Sequence, residues 1–139
     1  MKSKHFVAFI ALACLAVTCL AVSCYSGPIV VPPDLTPSEL IQRGQEASDK
    51  NRYSHSLQYY AAVIERFPFD IDSTLAAEYE IAFIHYKQKN YELSKTELND
   101  LIDRYNVTDE ELLPAQFKIL SGIVLAKIEE IENSRKKRN

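Results

Sequence analysis

The chain has 139 residues, and the first 23 have the organisation of a removable export signal, which leaves about 116 to fold. That length supports one domain. Apolar residues make up 47% and charged residues 25%, a globular rather than a disordered composition. Three glycines are too few for a Rossmann fold or turn-dense β sheets. The net charge of −3 becomes −5 without Lys2 and Lys4, so nucleic-acid binding is not expected.

Residues 1–23 predict a lipoprotein signal peptide. Two lysines precede an apolar run of 17 residues that ends at Val22. The following stretch, Leu20-Ala21-Val22-Ser23-Cys24, resembles the bacterial lipobox, in which small residues precede a cysteine that is acylated and becomes the first residue. Ala21 stands where that motif usually has leucine. An ordinary secretion signal and a retained membrane anchor are the alternatives.

The distribution of cysteines favours the lipoprotein interpretation. All three lie between residues 14 and 24, so the folded part has none. Acylation would give Cys24 a covalent diacylglycerol and an amide-linked chain, and we expect no other cofactor. The resemblance implies a bacterial cell-envelope protein, anchored to a membrane and facing the periplasm. Tyr25-Ser26 lacks the aspartate that retains many lipoproteins at the inner membrane, which favours the outer one.

Residues 24–35 predict a proline-rich tether. Gly27 and three prolines exclude a helix and favour extended backbone. The eleven residues from Tyr25 to Leu35 would reach roughly 35 Å at about 3.1 Å each, enough to hold a domain clear of lipid headgroups. An alternative function for Ile29-Val30-Val31 is a strand added to the sheet of a partner.

Residues 36–106 predict four helices in two pairs, because apolar residues recur at helical spacing and none alternate as in a strand. The predicted buried faces include Ala61 in the second helix and Leu93 in the fourth. In chain order the helices run from the capping box Thr36-Pro37-Ser38-Glu39 to about Lys50, from Tyr53 to Pro68, from Asp70 or Asp72 to about Lys89, and from Asn90 to about Asn106.

Residues 107–139 predict a C-terminal capping helix with a basic tail. Thr108-Asp109-Glu110-Glu111 is a second capping-box pattern, and Pro114 favours a new helix start. Arg135 to Arg138 is interpreted as a solvated helix end, with contact to anionic lipid headgroups as the alternative. The predicted buried stripe consists of Phe117, Leu120, Ile123, Val124, Ile128 and Ile131.

The two helix pairs can be overlaid with a shift of 38 residues. The matched pairs are Gly44 with Ala82, Tyr53 with Tyr91, Ser56 with Ser94, Tyr60 with Leu98, and Val63 with Leu101. This pattern resembles the tetratricopeptide repeat (TPR), whose usual period is 34. The resemblance implies an all-α, TPR-like solenoid of antiparallel hairpins, with two repeats and a capping helix. Ser56 and Ser94 replace the alanine of that family.

A narrower resemblance covers about residues 66–125. Arg66-Phe67-Pro68-Phe69 and the run from Ala76 to Lys87 resemble the second repeat of BamD-type outer-membrane assembly lipoproteins. Those proteins are lipid-anchored scaffolds that bind the barrel-inserting protein and nascent barrel substrates. The chain is about half their length and has two repeats where they have five.

The TPR register implies a recognition surface on the concave face, which the first helix of each pair lines. An aromatic stripe flanked by polar groups can hold an amphipathic helix or an extended peptide. The alternative is that these rings pack beneath the final helix. The candidate residues are Tyr79, Phe83, Tyr86 and Lys87 in the third helix, and Ile41 and Gln45 in the first.

Motifs for catalysis are absent from the sequence: it has no GxSxG, HExxH or CxxC. His85 is interpreted as a packing or surface residue, and no metal site is expected. The predicted function is therefore non-catalytic, with a protein or peptide partner, such as a barrel-assembly component, and no small-molecule substrate. A structural, self-associating lipoprotein and an accessory subunit of a cell-envelope enzyme or transport complex are the alternatives.

Substitution of Cys24 tests the anchor. Cys24→Ala removes the acylated residue, so we expect the protein to be released from membranes in cell fractionation. Unchanged partitioning into the membrane fraction would rule this assignment out.

Overall fold

The computed structural model describes residues 27–107 and 113–138, which form five helices and no strand. The predicted all-α class is confirmed. Cys24 and the capping-box pattern at 108–111 lie outside the described residues. Within these two ranges, no helix combines the length and apolarity needed to cross a bilayer. The helices are α1 (Pro37–Asp49), α2 (Tyr53–Arg66), α3 (Ile71–Lys87), α4 (Tyr91–Val107) and α5 (Ala115–Lys136).

Polar side chains cap α1 and α3 at positions that the sequence predicts. The Glu39 amide donates to Thr36 Oγ1 at 3.3 Å, and the Thr36 amide donates to a Glu39 carboxylate oxygen at 2.9 Å. The Thr36 hydroxyl also donates to the Glu39 carboxylate at 2.7 Å, and the bonds from this hydroxyl and from the Thr36 amide lower the pKa of Glu39. At α3 the Ser73 amide donates to Asp70 Oδ1 at 3.1 Å, and Pro114 immediately precedes α5.

Successive helices pack as antiparallel hairpins, and α1 also contacts α3, which in turn contacts α5. Two apolar clusters result, one among α1, α2 and α3 and the other among α3, α4 and α5. Helix α3 belongs to both: Ala77 and Ile84 enter the first cluster, whereas Tyr79 and Ala82 enter the second. This central helix therefore joins the two hairpins into one body.

The same buried hydrogen bond closes each hairpin. Ser56 Oγ donates to the Gly44 carbonyl at 2.7 Å, and Ser94 Oγ donates to the Ala82 carbonyl at 2.9 Å. Both serines are fully buried. Because donor and acceptor are displaced by the same 38 positions, the internal repeat of the sequence is also a repeat of contacts.

Residue size is balanced at the crossing of each hairpin. A Cβ atom added to Gly44 would lie 2.6 Å from the Tyr60 ring, far inside van der Waals contact. In the second hairpin the smaller Leu98 faces a position that holds alanine, Ala82. The larger ring is thus accommodated by the smaller partner, and the interhelical distance can stay short in both hairpins.

The two interhelical turns also match. Asn51 and Lys89 both have left-handed backbone, with φ of 55° and 64°. The amide of the following residue donates a hydrogen bond to a carbonyl in the last turn of the preceding helix. The Arg52 amide donates to the Ala47 carbonyl at 2.8 Å, and the Asn90 amide donates to the His85 carbonyl at 2.9 Å. This is the Schellman arrangement, which satisfies the last carbonyls of a helix and reverses the chain tightly.

The segment before α1 is not a free spacer over its described length. The Ile29 amide donates to Gln58 Oε1 at 3.0 Å, and the Arg66 guanidinium donates to the Pro32 carbonyl at 2.6 Å and the Val31 carbonyl at 3.1 Å. Leu35 is buried in the first cluster. The prolines do give extended backbone, but α2 supplies an acceptor on Gln58, donors on Arg66 and an apolar surface, which hold the segment against the domain.

Burial in α2, α4 and α5 differs from the sequence prediction at several positions. Phe117, Val124 and Ile128 are buried as predicted, but Leu120 and Ile123 are 38% and 48% exposed. The buried row of α5 instead passes through Ser121, because this helix is covered on one side only. Ala61 and Leu93 are exposed for a related reason: the buried serines occupy the faces that meet the preceding helices.

The size balance at the hairpin crossing can be tested by a double-mutant cycle. Gly44→Ala should lower the free energy of unfolding by about 1–2 kcal/mol, because the clash with Tyr60 outweighs the gain in helix propensity. In a Tyr60→Leu background the same substitution should be neutral or stabilising, since it recreates the Ala82–Leu98 pair.

Gly122→Ala is the matched control, because nothing lies within 4 Å of an added Cβ at Gly122. It should raise stability by up to about 1 kcal/mol in either background. Urea unfolding measures all six proteins, which are the four of the cycle and Gly122→Ala in each background. An effect of Gly44→Ala that is equal in the two backgrounds would contradict the proposed balance.

Candidate binding surfaces

The aromatic residues predicted on α3 form a continuous row of rings. Tyr79 stacks on Phe83 with centroids 5.9 Å apart, and Phe83 stacks on Tyr86 at 5.8 Å. Phe117 of α5 packs on Tyr79 at 6.1 Å, and Tyr79 is only 8% exposed. Tyr79 is therefore a core residue beneath the final helix, the second of the two alternatives, and does not line an open face.

Lys87 is held among three helices. Its ammonium lies 5.2 Å from the Tyr53 ring centroid and 5.1 Å from that of Phe83, and it donates to the Ser48 hydroxyl. These contacts join α1, α2 and α3 through cation–π attraction and a hydrogen bond. The same contacts leave the charge of Lys87 largely engaged within the domain.

The other candidates are distributed over different environments. Ile41 is half-buried against the first cluster and Gln45 is exposed. Phe83 is half-buried against the second cluster. The half-buried Tyr86 faces the last turns of α5, in an open groove lined by Tyr86, Lys127, Glu130, Ile131, Ser134 and Arg138. The six predicted residues therefore range from buried (Tyr79) through half-buried to exposed (Gln45).

A carboxylate lies partly buried near the α1–α3 contact. Desolvation raises the pKa of Glu80, the charge of Asp49 raises it further, and that of Lys87 opposes the shift. Burial also raises the pKa of the Tyr60 phenol, which lies in the first cluster. Glu80 is thus a charge that the fold places in an unfavourable environment.

Three further ion pairs among the described residues bridge neighbouring helices. His85 Nδ1 lies 2.7 Å from a Glu97 oxygen, between α3 and α4, and Arg104 pairs with Glu78 across the same two helices. Lys95 binds Glu132 of α5 at 2.9 Å. No three His, Cys, Asp or Glu side chains within residues 27–107 and 113–138 are grouped as metal ligands would be. The ion pairs connect α3 with α4 and α4 with α5.

An apolar surface that the sequence analysis missed lies on the outer side of α5. Ile119 is 62% exposed, Ile123 48% and Leu120 38%. Gly122 lies between them with open space around its Cα. We call these four residues the α5 outer face. Its sequence signal is the width of the apolar stripe, because positions 117 to 131 hold more apolar residues than one buried side of a helix can use.

The α5 outer face corresponds to a surface of α3 that is covered. With a shift of 40 positions, Phe117 and Val124 of α5 match Ala77 and Ile84, which join α3 to the preceding hairpin. In the same register Ile119, Gly122 and Ile123 match Tyr79, Ala82 and Phe83. On α3 those positions are packed against α4 and α5, whereas on α5 they are open.

Comparison with known proteins gives one informative similarity. The chain is 31% identical over 98 residues to an uncharacterised protein of Treponema pallidum (strain Nichols). The match covers 70% of this chain but 39% of that protein, so the chain spans about two fifths of the length of its relative. No protein-family model and no solved structure matches the chain.

The environment of Glu80 predicts a pH dependence of stability. Because its folded pKa lies above the usual value of 4.5, the native state binds the proton more tightly, and stability falls as pH rises through this range. Glu80→Gln stays neutral, so the variant should be more stable than the native protein at pH 7. The difference should disappear below about pH 4, where both states are protonated.

Glu39→Gln is the control of opposite sign. The pKa of Glu39 is lowered by its bonds to Thr36, so the native protein gains stability above that pKa and this variant should be less stable at pH 7. Thermal unfolding between acidic and neutral pH measures both variants. Stabilisation by Glu80→Gln that is the same at every pH would contradict the desolvation argument.

Proposed function

We propose that the chain is a non-catalytic, TPR-like scaffold, anchored to a bacterial membrane through acylated Cys24 and facing the periplasm, that binds a helix of a polypeptide partner. The observation that carries the proposal is the α5 outer face. Its residues match the positions of α3 that pack against α4 and α5. Within residues 27–107 and 113–138, however, no second helix covers the α5 outer face. The bacterial origin of its relative accords with the lipobox interpretation.

The TPR-like assignment is supported by the repetition of contacts. The serine–carbonyl bond, the small residue at the crossing and the left-handed turn residue all recur at the same offset of 38. The contacts of α1 with α3 and of α3 with α5 are those of stacked hairpins, in which each first helix meets the first helix of the next unit. On this interpretation α5 is the first helix of a third unit.

The occupant that fits the α5 outer face is an amphipathic helix. Helix α4 packs on α3 across the small residue Ala82. Gly122 takes the corresponding position of α5 and would let a partner helix approach α5 even more closely. Ile119 and Ile123 flank this position and supply apolar area. A capping helix ordinarily has a polar outer side, whereas this one has an apolar side, which favours a binding role.

Three classes of partner are consistent with the proposal. The resemblance over residues 66–125 favours a component of outer-membrane protein assembly. A cell-envelope enzyme or transport complex would use the same surface with a different helix. A second copy of the chain would cover the face by packing α5 against α5 and would make the protein a self-associating structural lipoprotein.

Site-specific crosslinking tests the binding face. A photo-crosslinking amino acid at position 123 of the full chain, expressed in bacterial cells, should give an adduct with a protein of different sequence. The control position is Asn99, an exposed polar residue of α4, from which the same adduct should be absent. An adduct of two copies of the chain would favour self-association, and the absence of any adduct specific to position 123 would overturn the proposal.

Paired variants separate binding from folding. Because position 123 is substituted in this variant, the crosslinking amino acid is placed at position 120, and Ile119→Gln with Ile123→Gln should abolish the adduct that forms there. The melting temperature should stay nearly unchanged, because exposed substitutions cost no more than about 0.5 kcal/mol. Phe117→Ala removes a buried ring of the same helix and should cost about 3–5 kcal/mol. A large loss of stability in the isoleucine variant would show that the face is core.

A further inference from the structure

Five chain segments meet at one end of the helical domain, because successive helices alternate in direction. The ends of α1, α3 and α5 lie there with the starts of α2 and α4. Lys87 at the end of α3 contacts Ser48 near the end of α1 and Tyr53 at the start of α2. The Arg135 guanidinium near the end of α5 lies 5.2 Å from the Tyr91 ring at the start of α4.

This end, which we call the basic end, carries a concentration of exposed positive charge. Its exposed basic residues come from the α1–α2 turn, the α3–α4 turn and the end of α5: Lys50, Arg52, Lys89, Arg135, Lys136, Lys137 and Arg138. Of the acidic groups nearby, Glu92 and Glu132 are bound to Lys95. Asp49, Glu46 and Glu130 are exposed.

The opposite end has the opposite charge. Its acidic residues are Asp34, Glu39, Glu65, Asp70, Asp72 and Asp103. Basic residues at this end are engaged within the domain: Arg66 binds the carbonyls of the N-terminal segment, Arg104 binds Glu78, and the Lys118 ammonium lies 5.8 Å from the Tyr105 ring centroid. The domain is therefore acidic overall but polarised along its helices, which orients it in an electric field.

The N-terminal segment enters the domain from the basic end. Ile29 is held by Gln58, and the following residues are held by Arg66, so the segment runs in the same direction as α2. Gln58 lies five residues from the start of α2, a rise of about 7.5 Å. Cys24 precedes Gly27 by three residues, which limits their separation to about 11 Å.

We infer that the basic end is a membrane-contacting surface that binds the anionic headgroups of the bilayer in which Cys24 is anchored. The inference rests on the acylation in the proposed function. Because α2 holds the segment from Ile29 onward, the domain cannot move far from the lipid surface. The largest separation of Cys24 and Gly27, about 11 Å, is close to the screening length of about 10 Å at 0.1 M salt. Within that length basic clusters are attracted to anionic lipid.

Lysine labelling of the full chain in vesicles tests this orientation. The protein is reconstituted into vesicles of phosphatidylcholine alone or of phosphatidylcholine and phosphatidylglycerol in equal parts, and reaction with an amine reagent is followed by mass spectrometry. Lys50, Lys89, Lys136 and Lys137 should react at least about threefold more slowly on the mixed vesicles, and about 1 M salt should abolish the difference. Lys118 and Lys127 should react equally on both.

Charge-reversal variants of equal net charge locate the effect. Lys136→Glu with Lys137→Glu should remove the protection of Lys89, whereas Lys118→Glu with Lys127→Glu should leave it unchanged. Protection lost equally in both variants would show a response to net charge and would overturn the assigned surface.

The mass of the Cys24 peptide in the same digest separates the two hypotheses. An unmodified Cys24 would overturn the proposed anchor, whatever the labelling shows. Equal labelling of the basic end on the two kinds of vesicle would overturn this inference, whatever the mass of Cys24.

Discussion

The close crossing of the two helices in each hairpin is the contact on which the rest of the structure depends. A small residue in the first helix admits a large one from the second, and a buried serine hydroxyl bonds the carbonyl at the crossing. An apolar crossing without that bond would still bury area, but the serine satisfies its own hydroxyl and fixes the register of the two helices. Helix α3 then extends this packing to both hairpins.

The direction of the helices connects fold and function. Alternating helices bring the two Schellman turns, the end of α5 and the entering N-terminal segment to the same end of the domain. A domain held there by lipid would direct its opposite, acidic end away from the membrane. The outer face of α5 runs between the two ends, so a partner helix bound along it would point away from the lipid surface rather than lie in it.

Local signals predicted the elements well, since capping boxes, turn residues and helical spacing act within a few residues. The starts at Thr36, Asp70 and Pro114 are examples. The same spacing could not assign the candidate site. Tyr79 and Ile123 are both apolar helix residues, yet one is buried by α5 and the other is open. Their difference depends on which helix follows in space, a property that no local pattern contains.

The sequence by itself determined the all-α class, the hairpin repeat and the positions of the turns, because these follow from periodicity, capping and the pairing of small with large residues. Only the tertiary structure decided that residues 29–35 lie along α2, that the aromatic row of α3 is largely internal, and that α5 is covered on one side. These outcomes depend on contacts between distant segments, where a helix face is buried only if another element reaches it.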